Sequence, residues 1–181
     1  MQRVLVGGIS GCGKTTLARE LARRTGLPYH EMDAYYHGPD WEPIPSFVAD
    51  IAAIVDEPAW VFDSHGYAQV RDLVWSRADT VVWLDYSRSV VMRRVVGRSA
   101  RRALTGEPIF NGNTETFRAW LDAEHPVQWA VRNYRRRRDV MWQGFTDPRF
   151  AAVRRVRITR PEAARTWLDH VAPPVDEPAH P

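Results

Sequence analysis

Two residue types are almost absent from the 181-residue chain: cysteine, present once as Cys12, and lysine, present once as Lys14 among 24 arginines. A single thiol excludes an intrachain disulfide, and no Cys/His group has the spacing of a zinc site, so any metal must be held through oxygen. Long apolar runs are missing too. "VLV" and "VVWL" fall far below the roughly 20 residues that a membrane span requires. The opening "MQRVLVGGIS" lacks the charged, apolar and small-residue order of a signal peptide, and a cytoplasmic protein is the expectation.

What is present is a globular composition, with 44% apolar and 26% charged residues. The length suits one domain with a sizeable core, since single domains commonly run to roughly 100 to 200 residues. One domain is expected over residues 1–172, followed by a disordered tail at 173–181, where proline removes backbone donors and little is left to bury. The net charge of +3 hides an asymmetry: residues 1–90 hold 8 Lys/Arg against 12 Asp/Glu, and residues 91–172 hold 17 against 8. The basic half suits either a polyanion such as nucleic acid or arginines that close over the phosphates of a small ligand.

Strand and helix patterns alternate along the chain. "RVLVGG" (3–8) is a β-branched apolar run that suits a buried parallel strand. A helix is expected from about Lys14 to Thr25, with Leu17, Ala18, Leu21 and Ala22 on one face and Gly26 as its stop. Strands are expected at 29–33, 59–63, 79–85 and 151–159. The piece "YYHGPDWEPIP" (35–45) reads as loop. Helices are expected at 46–57 with Ser46 as N-cap, near 68–76, from Ser87 to about Leu104, at 114–122, at 126–143 and at 161–171 with Pro161 in the first turn. Five strands alternating with helices predict an α/β fold with a mostly parallel sheet.

"GISGCGKT" (8–15) fits G-x-x-x-x-G-K-[ST], the phosphate-binding loop pattern, between a strand and a helix. Glycines allow positive φ and bring backbone N–H groups around a phosphate, while the helix N-terminus faces the same anion. Lys14 offers a compact charge on a flexible stem where a planar guanidinium would need different room. Thr15 offers a hydroxyl to magnesium. The nucleotide-binding set is therefore Gly8, Ile9, Ser10, Gly11, Cys12, Gly13, Lys14, Thr15 and Thr16. Cys12 is either a small residue that fits the loop or a thiol acidified by Lys14 and the helix terminus.

The segments "GISGCGKTTLARELARRTGLPYHEMD", "WVFDSHGY", "ADTVVWLDYSRSVVMRRVVGR" and "FNGNTETF" together resemble the small P-loop kinases related to adenylate kinase. More narrowly, they resemble the bacterial group called topology-modulation-protein-like. That resemblance implies a three-layer P-loop NTPase fold with five strands in the order 2-3-1-4-5 and helices on both faces. It also implies ATP at the loop, an acceptor pocket after the second strand and a mobile lid at about 98–125.

On that pattern the metal is held by Thr15 and Asp63, with Asp85 the competing strand-end acid. Asp33 is either the acceptor-binding base or an ordinary turn residue. Arg94, Arg98, Arg101 and Arg102 share one helix face, and Arg98 and Arg102 lie where the lid would begin; a solvated basic face is the other reading. Arg132 or Arg136 is a further lid candidate. Trp41 is either packing or substrate-facing.

No arginine lies between Arg24 and Arg71, which points to a neutral or cationic hydroxyl acceptor. The expected catalytic set is Lys14, Asp33, Asp63, Arg98 and Arg102, serving a magnesium-dependent transfer from ATP to a small acceptor. A nucleotide-dependent protein associated with nucleic acid and a nucleotide switch with weak turnover are the alternatives.

Overall fold

The first apolar run sets the architecture. In the computed structural model, which describes residues 1–105 and 126–174, it forms β1 (Arg3–Gly8), buried at every residue after Arg3. A strand buried on both faces must lie inside a sheet covered by helices. β1 pairs in parallel with β3 (Trp60–Phe62) on one side and β4 (Thr80–Leu84) on the other. β2 (Tyr29–His30) lies outside β3 and β5 (Arg154–Ile158) outside β4, so the order is 2-3-1-4-5 with every pairing parallel, as expected.

Seven helices are described: α1 (Lys14–Thr25), α2 (Met32–Tyr36), α3 (Phe47–Val55), α4 (Arg71–Arg77), α5 (Arg88–Thr105), α6 (Pro126–Thr146) and α7 (Pro161–Val171). Strand pleating sends alternate side chains to opposite faces, and this divides the core in two. Val4, Val6, Val82 and Leu84 face α1, α5 and α7 through Leu17, Leu21, Val91, Val95 and Leu168. Leu5, Phe62, Val81 and Trp83 face α3, α4 and α6 through Ile51, Val74, Trp75 and Met141. Each fully buried side chain of this size contributes about 1.5–3 kcal/mol. Trp60, Trp75 and Trp83 are core, whereas Trp41 and Trp142 are exposed. Among the described residues no helix is long and apolar enough to cross a membrane.

Four local expectations are adjusted. The strand expected at 29–33 stops at His30, because the buried Met32 donates its N–H to Asp63 Oδ1 at 3.2 Å and the chain turns into α2. The 35–45 loop therefore loses Tyr35 and Tyr36 to α2 and holds a 3-10 turn at Pro39–Trp41. Ser46 holds the N-cap position of α3 as expected, but at φ −78° and ψ −6° its hydroxyl donates to Asp50 Oδ2 at 2.7 Å and caps no backbone N–H. The last strand is shorter than expected, since Asp147 opens a 3-10 turn at Pro148–Phe150 by accepting from the Arg149 N–H. Most of the expected lid, the helix at 114–122 and the tail from residue 175 lie outside the described residues.

Two glycines in helices meet opposite surroundings. A Cβ at Gly97 would meet nothing within 4 Å, whereas one at Gly144 would lie 2.7 Å from the buried Trp75 ring. Gly97→Ala should stabilise the protein by about 0.5–1 kcal/mol. Gly144→Ala should destabilise it by up to about 2 kcal/mol net, overpacking outweighing the helical gain. Urea denaturation checks both, and a stabilised Gly144→Ala protein would contradict the packing described for α6.

Candidate functional site

The turn between β1 and α1 closes on itself before any ligand is considered. The Cys12 N–H donates to the Ile9 carbonyl at 3.2 Å, and the Leu17 N–H to the Gly13 carbonyl at 3.0 Å. Gly11 at φ +84° and Gly13 at φ +99° hold left-handed backbone that other residues adopt only at a cost. Gly13 caps α1 without a side-chain hydrogen bond, and the first turn carries no acid. The α1 N-terminus thus keeps its partial positive charge. Lys14 Nζ rests on the Ile9 carbonyl at 3.4 Å.

Parallel pairing brings the ends of β3 and β4 to the same edge, each followed by a buried acid, Asp63 and Asp85. Their partners differ in kind. Thr15 Oγ1 donates to Asp63 Oδ2 at 2.6 Å, Tyr29 Oη donates to the same oxygen at 3.0 Å, and the Met32 N–H reaches Oδ1. All three donors are neutral. Asp85 instead accepts from Arg138 Nε and Nη2 at 2.7 and 3.1 Å and from Arg157 Nε at 2.9 Å. Of the two competing acids, the structure brings Asp63 to Thr15 and binds Asp85 to two guanidiniums.

That difference fits a hard cation at Thr15 and Asp63. Thr15 gives its proton to Asp63 and keeps oxygen lone pairs, and the Asp63 charge is not offset by a cationic partner. Among the described residues no group of three or more His, Cys, Asp or Glu could hold a metal by itself. Phosphate oxygens and water would have to complete the shell.

Asp33, in α2, accepts from Tyr67 Oη at 2.8 Å. Tyr67 stacks on Tyr36 with centroids 4.0 Å apart. Burial, then the neighbouring Asp33 charge, pushes the Tyr67 phenol well above its usual range, so it stays a donor. The segment 63–67 therefore touches the loop at one end and Asp33 at the other.

From α5, Arg94 Nη1 donates to the Cys12 carbonyl at 2.9 Å and its guanidinium sits over the Tyr86 ring, while Arg98 Nη2 donates to Ser10 Oγ at 3.1 Å. Arg101 is exposed, and the Arg102 side chain lies outside the described residues. Arg132 and Arg136 are exposed as well. The α6 arginine that reaches the site is Arg137, whose Nη1 lies 3.2 Å from Nε2 of the buried His65. Burial, with other cations nearby, lowers the affinity of both Arg71 and Arg137 for their proton, although a guanidinium remains charged.

Of the arginines from later in the chain, Arg137 lies near enough to Asp33 for the carboxylate to act on it electrostatically, and Arg71 neighbours Arg137 and His65. Tyr29, His65, Tyr67, Arg71 and Arg137 were not singled out from the sequence. The stripe Tyr134, Met141 and Phe145 would have marked Arg137 and Arg138 as the inward pair, because 3.6-residue periodicity puts these positions on one helix face.

Cys12 settles against acidification. Its thiol is fully buried, and burial pushes it up more than Lys14, the loop amides and Arg94 draw it down.

The sequence profile of the ATPase family associated with various cellular activities (AAA) matches residues 4–94. A shikimate kinase of Paramagnetospirillum magneticum is 27% identical over 141 residues, which cover 68% of this chain and 70% of that protein. The structure of a shikimate kinase from Acinetobacter baumannii in complex with shikimate aligns at a TM-score of 0.57 and 16% identity, over 94% of this chain and 90% of that one. A sugar kinase from Janibacter sp. aligns at 0.52 and 21%, over 96% of each chain. The structural likeness confirms the fold.

Iodoacetamide should modify Cys12 of the native protein at pH 8 at least about tenfold more slowly than in the denatured chain, with no change on adding ATP. Mass spectrometry of the time course reads this, and rapid native alkylation would contradict the buried, protonated thiol.

Proposed function

The chain belongs to the AAA family of ATPases associated with various cellular activities, and from that footing we propose that it is a magnesium-dependent kinase transferring the γ-phosphoryl group of ATP to a small hydroxyl compound. The observation that carries this reading is the Thr15–Asp63 hydrogen bond of 2.6 Å at a glycine-rich loop, with Asp33 linked to the same post-β3 segment through Tyr67. An ATP hydrolase needs the first half of that arrangement. A second carboxylate, held as an acceptor by a protonated phenol, suits a substrate hydroxyl.

In this reading the loop amides and Lys14 hold the β- and γ-phosphates, and Thr15 and Asp63 would hold magnesium, which when bound would offset phosphate charge. Asp33 accepts the acceptor's hydroxyl proton as that oxygen bonds to the γ-phosphorus. The bond to the bridging oxygen breaks, and ADP leaves. Arg98, which donates to Ser10, and Arg102 stand at the head of the proposed lid to stabilise charge on the equatorial oxygens.

The names of the relatives, shikimate kinase and sugar kinase, favour a polyhydroxylated acceptor. The nucleic-acid alternative rested on the basic second half of the chain. Several of those arginines are engaged internally: Arg94 on Cys12, Arg138 and Arg157 on Asp85, Arg149 on Asp147 and Asp72.

The test is Mg-ATP consumption against hydroxy acids that include shikimate and gluconate, together with neutral polyols and amino alcohols. At least one acceptor should raise the rate well above slow hydrolysis, and Lys14→Ala should lower it by about 100-fold or more. Asp63→Asn should raise the magnesium concentration needed for half-maximal rate. No acceleration by any acceptor would sink the kinase reading and leave a nucleotide-dependent switch.

A further inference from the structure

His65 is buried at 4% exposure and takes no part in the chemistry above. A guanidinium only donates, so the contact of 3.2 Å makes His65 Nε2 the acceptor and puts the ring proton on Nδ1. Nδ1 has no partner among the described residues. Leaving a buried donor unmet costs about 1–3 kcal/mol, so structural packing alone is a poor reason for a histidine here.

What the ring does is fix a long side chain. α6 itself is set by other contacts. Arg138 grips Asp85, Tyr134 Oη donates to the Tyr86 carbonyl at 2.7 Å, and Met141 packs where a Cβ at Gly7 would lie 2.7 Å from its sulfur. These determine which way the helix faces, but Arg137 still has a flexible stem that costs up to about 2 kcal/mol in entropy to immobilise. His65 Nε2 supplies a fixed acceptor for it.

Arg71, at the start of α4, closes the same region. Its Cα lies 2.8 Å from the place a Cβ on Gly66 would take, and its Nε is buried with no hydrogen-bond partner among the described residues. One residue beyond Gly66, Tyr67 binds Asp33. The three consecutive residues 65–67 therefore connect two guanidiniums to the carboxylate proposed for the acceptor hydroxyl.

We propose that His65 is a positioning residue that aims Arg137 toward the acceptor beside Asp33, and that Arg137 and Arg71 select an acceptor carrying an anionic group near its hydroxyl. The selection for an anionic acceptor replaces the neutral or cationic acceptor expected from the sequence and rests on the kinase reading. The His65–Arg137 pairing does not.

Acetate, with acetamide as its neutral counterpart, is a small enough probe to enter any such subsite. The full chain, loaded with Mg-ADP, is observed by NMR through the Arg137 guanidinium signals and the His65 ring nitrogens. The expected result is an Nδ1–H tautomer at pH 7 and a shift of the Arg137 signals by acetate but not by acetamide. His65→Gln, whose Oε1 still accepts, should keep the acetate response within about threefold, and His65→Phe should need at least about tenfold more acetate.

Arg137→Met removes the same contact from the other side and should abolish the tautomer preference, so the test survives if His65→Phe does not fold. With an active acceptor in hand, His65→Phe should raise the acceptor KM about tenfold or more while the KM for ATP stays within twofold. Equal responses to acetate and acetamide, or a His65→Phe protein that responds to acetate like the wild type, would overturn the proposal. Failure of every acceptor to consume ATP would instead remove the kinase reading and leave the NMR outcome to stand by itself.

Discussion

The site depends on one constraint: β1 is flanked on both sides by parallel strands. In parallel pairing the C-terminal ends of neighbouring strands lie at the same edge, which is where α/β sheets of this type bind ligands. The pairing of Leu5 with Phe62 and of Gly8 with Leu84 staggers the two flanking strands along β1. Asp63 and Asp85 therefore leave the sheet at different levels beside the glycine-rich turn. An antiparallel neighbour would have carried its acid to the opposite edge, away from Lys14 and Thr15.

Charge is divided between those two acids by their partners. Asp63 is bound by two hydroxyls and a backbone N–H, so its hydrogen-bonding needs are met without neutralising it. Asp85 is enclosed by Arg138 and Arg157, and Arg157 in turn lies over the Trp83 and Trp142 rings. A buried carboxylate paired with two cations serves the docking of α6 on the sheet, because Arg138 of α6 and Arg157 of β5 meet on it. One acid is left for a ligand and the other is consumed by the fold.

α6 shows how the basic half of the chain is used. The run of arginines in "RNYRRRRD" is uniform in composition, but helical periodicity assigns each a different direction. Arg135 and Arg136 are exposed, Arg137 meets His65 and Arg138 meets Asp85. Net charge could suggest a polyanion partner only because it averages over these directions. The same averaging hid Arg137, which feels the Asp33 charge although the two are far apart in sequence and which reaches His65 across 72 residues.

The sequence by itself determined the sheet, its order through family resemblance, and the phosphate-binding turn. These follow from signals that act over a few residues: β-branched runs, 3.6-residue periodicity, and glycines required by positive φ at Gly11 and Gly13. Local propensity misjudged the segment after His30 because the buried Met32 and its bond to Asp63 outweigh it. Only the tertiary structure decided which acid meets Thr15, that burial defeats the cations around Cys12, and which arginine meets His65. Each of these is a balance of desolvation and hydrogen bonding between groups far apart in the chain. That balance exists only once the sheet has brought those groups within a few ångströms of one another.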